Sequence, residues 1–163
     1  MSAFLEAFLR EYDVEMDTTR RLLARVPDSR LDWKPHPKSK SLGELATHVT
    51  ELPRWGERLR EGTFVVGSAQ APPMKTAEDF LKRFDRNVSE NRSAIAALED
   101  SDLGEEFTVL RQGQVFFKLS KRIMLRRVLL NHLIHHRGQL SVYLRLNDIP
   151  LPAVYGPTAD EDI

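Results

Sequence analysis

The sequence contains no cysteine. This absence excludes disulfide bonds, thiolate ligands for a metal ion and a cysteine nucleophile. It is typical of a reducing compartment, and we expect a cytoplasmic location. An apolar run near the ~18 residues of a membrane-spanning helix is missing as well. Residues 1–17 are amphipathic and acidic, unlike a secretory or transit peptide. We therefore expect no membrane association.

An excess of charge of either sign is also missing, because 24 Lys and Arg balance 24 Asp and Glu. No overall field draws the chain to nucleic acid, and no nucleic-acid partner is expected. The basic stretch at residues 118–127 (KLSKRIMLRR) lacks interleaved aromatic residues, and we interpret it as a solvated or intersubunit salt-bridging face. Hydrophobic residues make up 41% of the 163 residues, which indicates a single globular domain over residues 1–163.

Four segments carry apolar residues at spacings of three and four, the period of an α-helix. Ser41 with Glu44 and Thr76 with Asp79 are typical helix starts, and Pro53 predicts a kink. The predicted helices are residues 3–26, 41–62, 77–98 and 120–147.

The connections between the predicted helices are longer than a minimal bundle needs. Residues 62–75 are predicted as a loop that forms a lid or a surface wrap. Residues 100–114 are predicted as a second irregular segment, and no persuasive strand pattern is found. The sequence therefore predicts an all-α fold, a four-helix bundle with long crossover connections.

Three of the five histidines lie within five positions of the last predicted helix, in the stretch NHLIHHRGQL. His132 and His136 are one turn apart, about 40° around the helix and about 6 Å along it. Both lie on the seam predicted to face the core, and their spacing allows both rings to bind one ion. His48 occupies a similar seam position in the second helix. The three histidines predict a metal site, with hydrogen-bonded core histidines as the alternative.

Three neutral imidazoles suit a divalent ion such as Zn²⁺, Ni²⁺, Co²⁺ or Fe²⁺. Three protein ligands leave a position for water or substrate, which is typical of a catalytic site. Leu133 stands where a zinc peptidase needs Glu after the first histidine, and the Glu-x-x-His motifs of ferritin-like di-iron sites are missing. We predict one divalent transition metal ion per chain, at a site of another kind.

Two further residues are candidates for a catalytic role. His135, at the edge of the seam, can donate a proton at the site mouth or hydrogen-bond to a neighbouring helix. Glu51, one turn after His48, can orient the His48 ring or move a proton. Gln139, one turn beyond His136, can bind a metal-bound water or another helix. Other polar residues predicted near the site are Glu44, Asn91 and Tyr143.

Three blocks of the sequence carry a family resemblance: SLGELATHV around His48, NHLIHHRGQL around His132 and His136, and the closing IPLPAVYGPTADE. In this order and separation they resemble the DinB/YfiT-like family of helical-bundle metalloproteins, which is unrelated to the DNA polymerase of that name. The resemblance spans nearly the whole chain. It implies a four-helix bundle with a long crossover, usually a homodimer, and a nickel or zinc ion held by the three histidines.

The resemblance also implies a range of activities. Characterised members include transferases that use the thiols bacillithiol or mycothiol and a mycothiol-dependent isomerase, and other members are described as metal-dependent hydrolases. Our leading hypothesis is a transferase that activates a low-molecular-weight thiol for attack on an electrophilic small molecule. The lack of cysteine is consistent with this hypothesis, because the cosubstrate then supplies the sulfur. The alternatives are a hydrolase that activates water and a non-catalytic, stress-related metal-binding module.

Overall fold

Four helices and a small mixed sheet make up the part of the chain that the structure, a computed structural model, describes: residues 2–55, 57–67 and 73–162. The last helix, α4, covers residues 121–145 in three consecutive parts: α-helical Lys121–Ile123, π-helical Met124–Asn131 and α-helical His132–Arg145. The elements before it are α1 (Ala3–Leu23), α2 (Leu42–Glu51), β1 (Thr63–Val65), α3 (Ala77–Ala96), β2 (Glu106–Arg111) and β3 (Gln114–Ser120).

The prediction of an all-α bundle is wrong, because these residues include a three-stranded sheet in the order β1-β2-β3. β1 pairs with β2 in parallel, and β2 pairs with β3 as an antiparallel hairpin. The hairpin turns at Gln112 and Gly113, whose φ angles of 52° and 76° are typical of a two-residue type I′ turn. β-branched and aromatic residues flank this turn, so the prediction of an irregular segment over residues 100–114 is wrong for the part that forms the hairpin.

The predicted helix starts are confirmed. The Ser41 hydroxyl accepts a hydrogen bond from the Glu44 amide at 3.1 Å, and a Glu44 carboxylate oxygen accepts one from the Ser41 amide at 2.6 Å. Thr76 and Asp79 form the same reciprocal pair at the start of α3. Each pair satisfies two amide groups that lack partners inside the helix.

Helix α2 ends earlier than predicted. Pro53 does not kink a continuous helix, because α2 stops at Glu51 and is followed by 3₁₀ turns at Leu52–Trp55 and Glu57–Leu59. A proline has no amide hydrogen to donate and its ring clashes with the preceding turn, so the α-helical pattern is interrupted there.

The helices pack around one hydrophobic core. The apolar stripe predicted for α1 is buried, and Leu5, Tyr12 and Leu22 are fully inaccessible to solvent. Burial of each such side chain contributes about 1.5–3 kcal/mol to the free energy of unfolding. The sheet joins this core through Phe107 and Val109 of β2, which are 0% and 1% exposed. None of the helices within the described ranges is long and apolar enough to cross a membrane.

The sequence pattern predicts that the core face of α4 continues from Leu129 through His132, His136, Gln139, Tyr143 and Leu146, and this part of the prediction is wrong. The buried side chains of this part of the helix are Leu129, Leu130, Leu133, Arg137, Leu140 and Leu144. A π-helical turn contains more residues than the 3.6 of an α-helical turn, so the positions that face the core move on along the chain. His132 and His136 therefore lie on a half-buried flank of α4 rather than on its core face.

The basic stretch at residues 118–127 forms ion pairs within the chain. It spans the end of β3 and the start of α4. Arg122 also lies over the ring of Phe4 in α1, 4.3 Å from its centroid. This stretch therefore stabilises the contact of α4 with β2 and α1. Its ion pairs are Lys118–Glu106, Lys121–Glu105 and Arg126–Glu11.

Candidate metal centre

The three histidines predicted as metal ligands meet in space. His48 projects from α2, and His132 and His136 project from consecutive turns of α4. The Nε2 atom of His132 lies 3.4 Å from Nε2 of His48 and 2.9 Å from Nε2 of His136. One ring nitrogen from each residue lies within 4.8 Å of the other two, so the three nitrogens can bind a single ion.

Hydrogen bonds orient two of the rings. Oε1 of Gln139 lies 2.6 Å from Nδ1 of His136. An amide oxygen only accepts, so this contact places the proton on Nδ1 and leaves the lone pair of Nε2 directed at the cluster. The ring of His132 hydrogen-bonds to the backbone of Val128, inside the π-helical part of α4. This arrangement is typical of metal-binding histidines, whose second nitrogen is held by a neighbouring acceptor.

The surroundings favour neutral histidines. The pKa of His48 is lowered from 6.5 to about 3, mainly by burial and to a smaller extent by the neighbouring rings of His136 and His132 and by Lys40. Burial is also the main reason why the pKa values of His132 and His136 are lowered. Neutral imidazole is the form that binds a metal ion. The donor set present in the chain therefore fits a divalent transition metal.

A cavity of about 1170 Å³ opens beside His48 and His132. Helix α2 and the 3₁₀ turns after it form one side, and Val128 of the π-helical segment lies near the histidines. The sheet that sequence reasoning missed forms an apolar wall. Such a cavity has room for a small molecule next to the histidines. The wall residues are Phe64, Val66, Val109, Phe116 and Phe117.

Of the two candidate catalytic residues, only Glu51 is among the described residues that line the cavity. Glu51 lines the cavity, and its carboxylate is held by Nη1 of Arg54 at 2.8 Å and Nη1 of Arg83 at 3.3 Å. His135 is exposed, with its ring centroid 4.8 Å from that of His136. Both catalytic roles stay predictions.

The other polar residues predicted near the site have separate tasks. Glu44 caps α2 and lines the cavity. Asn91 is buried between helices and donates to the Tyr12 hydroxyl at 2.8 Å, while Tyr143 packs edge-on against Trp33 at 5.6 Å. Among the described residues, neither Asn91 nor Tyr143 lines the cavity.

A buried ion pair next to the histidines was missed. Arg137, which follows His136, is 2% exposed and lies 2.5 Å from Oε2 of Glu15 in α1. Tyr155 of the closing segment donates to Oε1 of Glu15 at 2.9 Å, and its ring lies beneath the Arg137 guanidinium. This network fixes the C-terminal segment and α1 to the core face of α4. The sequence cue for this ion pair is that Arg137 lies four residues after Leu133 and three before Leu140, in a stripe of leucines with helical spacing.

Together the helical bundle, its small sheet and three histidines contributed by two helices define a helical-bundle protein with a candidate metal centre. The model of the DinB superfamily matches residues 11–140. The chain belongs to this superfamily, which confirms the family resemblance found in the sequence.

Relatives of the same family share most of the chain. The uncharacterized protein YrdA of Bacillus subtilis strain 168 is 26% identical over 161 residues, which cover 96% of this chain and 91% of YrdA. A DinB-like protein from Bacillus cereus superimposes with a TM-score of 0.74 at 24% identity, covering 92% of this chain and 97% of that structure. A DinB-like protein from Bacillus subtilis superimposes with a TM-score of 0.69 at 18% identity, covering 96% of this chain and 99% of that structure. The two structural likenesses establish the fold.

Proposed function

We propose that the protein is a metal-dependent transferase that activates a low-molecular-weight thiol for attack on an electrophilic small molecule. The observation that carries this proposal is the convergence of three neutral imidazoles beside a cavity with room for a substrate. His48, His132 and His136 would hold one divalent ion, nickel or zinc, and family membership supports that role.

The chain's own residues would supply the metal ligands, orient their rings and provide an apolar wall for the cavity. A divalent ion, when bound, supplies Lewis acidity that lowers the pKa of a thiol sulfur. Gln139 keeps Nε2 of His136 free of a proton, and the sheet supplies an apolar wall against which the electrophile would pack. The thiol sulfur would form a bond to the electrophilic carbon as the bond from that carbon to its leaving group breaks. His135, exposed beside the cluster, would accept the thiol proton.

Hydrolysis is a second candidate function. Glu51 lines the cavity and is the carboxylate placed to take a proton from water. Its two oxygens are each already paired with an arginine, Arg54 and Arg83, so we rank hydrolysis below thiol transfer. A non-catalytic role for the metal, as a stabiliser of the bundle, is the third candidate. The family resemblance also leads us to propose a homodimer, which light scattering would test.

Metal content tests the part that all three candidates share. Protein purified without a histidine tag should contain about one transition metal ion per chain by elemental analysis. His132→Ala should lose this ion, with at least about 100-fold weaker affinity, because one of three ligands is removed. His36→Ala is the matched control, since His36 is exposed and, among the described contacts, its ring accepts a hydrogen bond only from the nearby Lys38 amide. Untagged protein that cannot be loaded with any such ion would contradict the proposal.

Spectroscopy of Co²⁺-loaded protein separates the three functions. Addition of a low-molecular-weight thiol should produce a sulfur-to-metal charge-transfer band if the thiol binds the ion. A loaded protein that stays silent toward every thiol, yet hydrolyses test esters or amides, would favour hydrolysis. A metal that raises the melting temperature strongly while no added ligand perturbs its spectrum would indicate the structural role.

A further inference from the structure

The cavity beside the histidines has an apolar end on the sheet. Phe64 of β1 and Phe116 of β3 line it from the two edge strands. Phe116 is 57% exposed, although a phenyl ring on an edge strand loses favourable burial when it faces water. Its neighbour Val115, 55% exposed, does not line the cavity. A ring-sized apolar group bound in the cavity would cover Phe116.

Lys40 places a cation at the histidine end of the cavity. Lys40 lines the cavity, and its charge acts on both His48 and His136. No carboxylate within the described residues forms an ion pair with Lys40. Among the described contacts, Lys75, which also lines the cavity, has no acidic partner for its ammonium group either.

Most of the acidic groups around the cavity already have partners. Asp28 accepts a hydrogen bond from the amide of Ala77 at 2.7 Å, and Glu44 accepts one from the amide of Ser41. Glu51 is shared by two arginines. None of these three carboxylates forms an ion pair with Lys40, although the charges of Lys40 and the exposed Glu44 act on each other. The cavity therefore has Lys40 near the histidines and the rings of Phe64 and Phe116 on the sheet, where Arg58 lies 5.6 Å from the centroid of Phe64.

We propose that this cavity binds a small amphiphilic molecule, with an acidic group beside Lys40 and an apolar, ring-bearing body against Phe64 and Phe116. The volume of about 1170 Å³ suits a ligand of this kind. The inference rests on the proposed function in treating this ligand as the substrate of the site, and it adds the chemical class of that substrate.

Calorimetric titration of metal-free protein tests the recognition of each end. The probes are 2-naphthoate, the neutral 2-naphthamide and acetate. We expect 2-naphthoate to bind more tightly than 2-naphthamide, which lacks the charge, and than acetate, which lacks the ring. A protein that binds 2-naphthamide as tightly as 2-naphthoate would overturn the acidic part of the proposal.

Matched variants locate the two contacts. Phe116→Ala should weaken both naphthalene probes by about fivefold, because an aromatic contact is lost, while Val115→Ala leaves both unchanged. Lys40→Gln should weaken 2-naphthoate and leave 2-naphthamide unchanged, and Lys38→Gln, outside the cavity lining, should alter neither. Unchanged binding in Phe116→Ala, with circular dichroism showing a folded chain, would overturn the proposal.

These titrations separate the inference from the proposed function. Because they use metal-free protein, selective binding of 2-naphthoate would support the cavity assignment even if metal loading fails and the proposed function is lost. Protein that loads metal and binds thiols but discriminates none of the probes would overturn the inference alone.

Discussion

Gln139 determines which nitrogen of His136 carries the proton. Its amide oxygen, 2.6 Å from Nδ1, stabilises the tautomer whose Nε2 lone pair faces His132 and His48. Gln139 is itself exposed, so its effect on the site comes through this hydrogen bond and not through packing. It acts as a positioning residue for a metal ligand.

Replacing Gln139 tests this positioning role. Gln139→Leu should weaken metal binding by about 10-fold, because the His136 ring loses its acceptor and can adopt the wrong tautomer. Gln139→Glu keeps an acceptor at the same place and should retain or strengthen binding. Competition with a chromophoric chelator measures both affinities. Equal affinity of the Leu and Glu variants would rule out a role for the hydrogen bond.

The lowered pKa of His48 makes the metal-free protein sensitive to acid. Its pKa is about 3 in the folded chain and 6.5 ordinarily, so the unfolded chain binds a proton in this window that the folded chain does not. The contribution to the free energy of unfolding is present above pH 6.5 and decreases as the pH falls toward about 3. Urea unfolding across this range should show His48→Asn with a flatter pH dependence than His36→Asn. Identical slopes in the two variants would contradict the assignment.

At the scale of elements, the π-helical segment of α4 and the β2–β3 hairpin shape the site most. The π-helical segment, Met124–Asn131, directly precedes His132 and sets the direction in which the histidines leave the helix. The hairpin forms part of the wall of the cavity. Both features depend on backbone geometry that differs from regular α-helix, so glycine substitutions are an informative probe.

Substitution of two glycines by alanine should change the free energy of unfolding in opposite directions. Gly113 has a φ of +76° in the hairpin turn, which strains a side chain, so Gly113→Ala should destabilise the protein by about 1 kcal/mol. Gly138 lies inside α4, and a Cβ there meets nothing within 4 Å, so Gly138→Ala should stabilise by up to about 1 kcal/mol. Thermal and urea unfolding of metal-free protein measure both. A shift of the same sign in both variants would contradict these conformations.

At the scale of the whole molecule, the buried pair of Arg137 and Glu15 joins three separate parts of the chain. It connects α4 to α1, and Tyr155 adds the C-terminal segment. Both charged groups are almost inaccessible to water, so each depends on the other for compensation. The pair lies on the core face of α4, one residue after His136, and holds that helix in its rotational position.

Removal of one member of the Arg137–Glu15 pair should lower the free energy of unfolding strongly. Arg137→Met should destabilise the protein by about 3–5 kcal/mol, because it leaves the Glu15 carboxylate buried without a countercharge. Arg137→Met combined with Glu15→Gln should recover part of this loss. Arg126→Met is the control, since its pair with Glu11 is about half exposed and should contribute about 1 kcal/mol or less. If Arg137→Met and Arg126→Met lose the same free energy of unfolding in urea, Arg137 does not have the role of a buried ion-pair partner.

Local chemistry made much of the molecule predictable. The starts of α2 and α3 follow from side chains that cap amides within three residues, and the stripe of α1 follows from the helical period. The spacing of His132 and His136 brings their rings together on any helix, because one turn separates them. The hairpin was missed although Gln112 and Gly113 sit between β-rich segments, because strands bury their faces only against distant residues.

Short-range spacing and capping made the helix starts, the family resemblance and the pairing of His132 with His136 predictable from the sequence. The approach of His48 to that pair, the sheet, the cavity and the core face of α4 depend on contacts between residues far apart in the chain, so they become visible in the folded structure. The π-helical turns depend on how α4 packs, and they place Arg137 in the core where a regular helix would place His136. Long-range packing thereby leaves the histidines half-buried beside a cavity, where a metal ion and a substrate can both reach them.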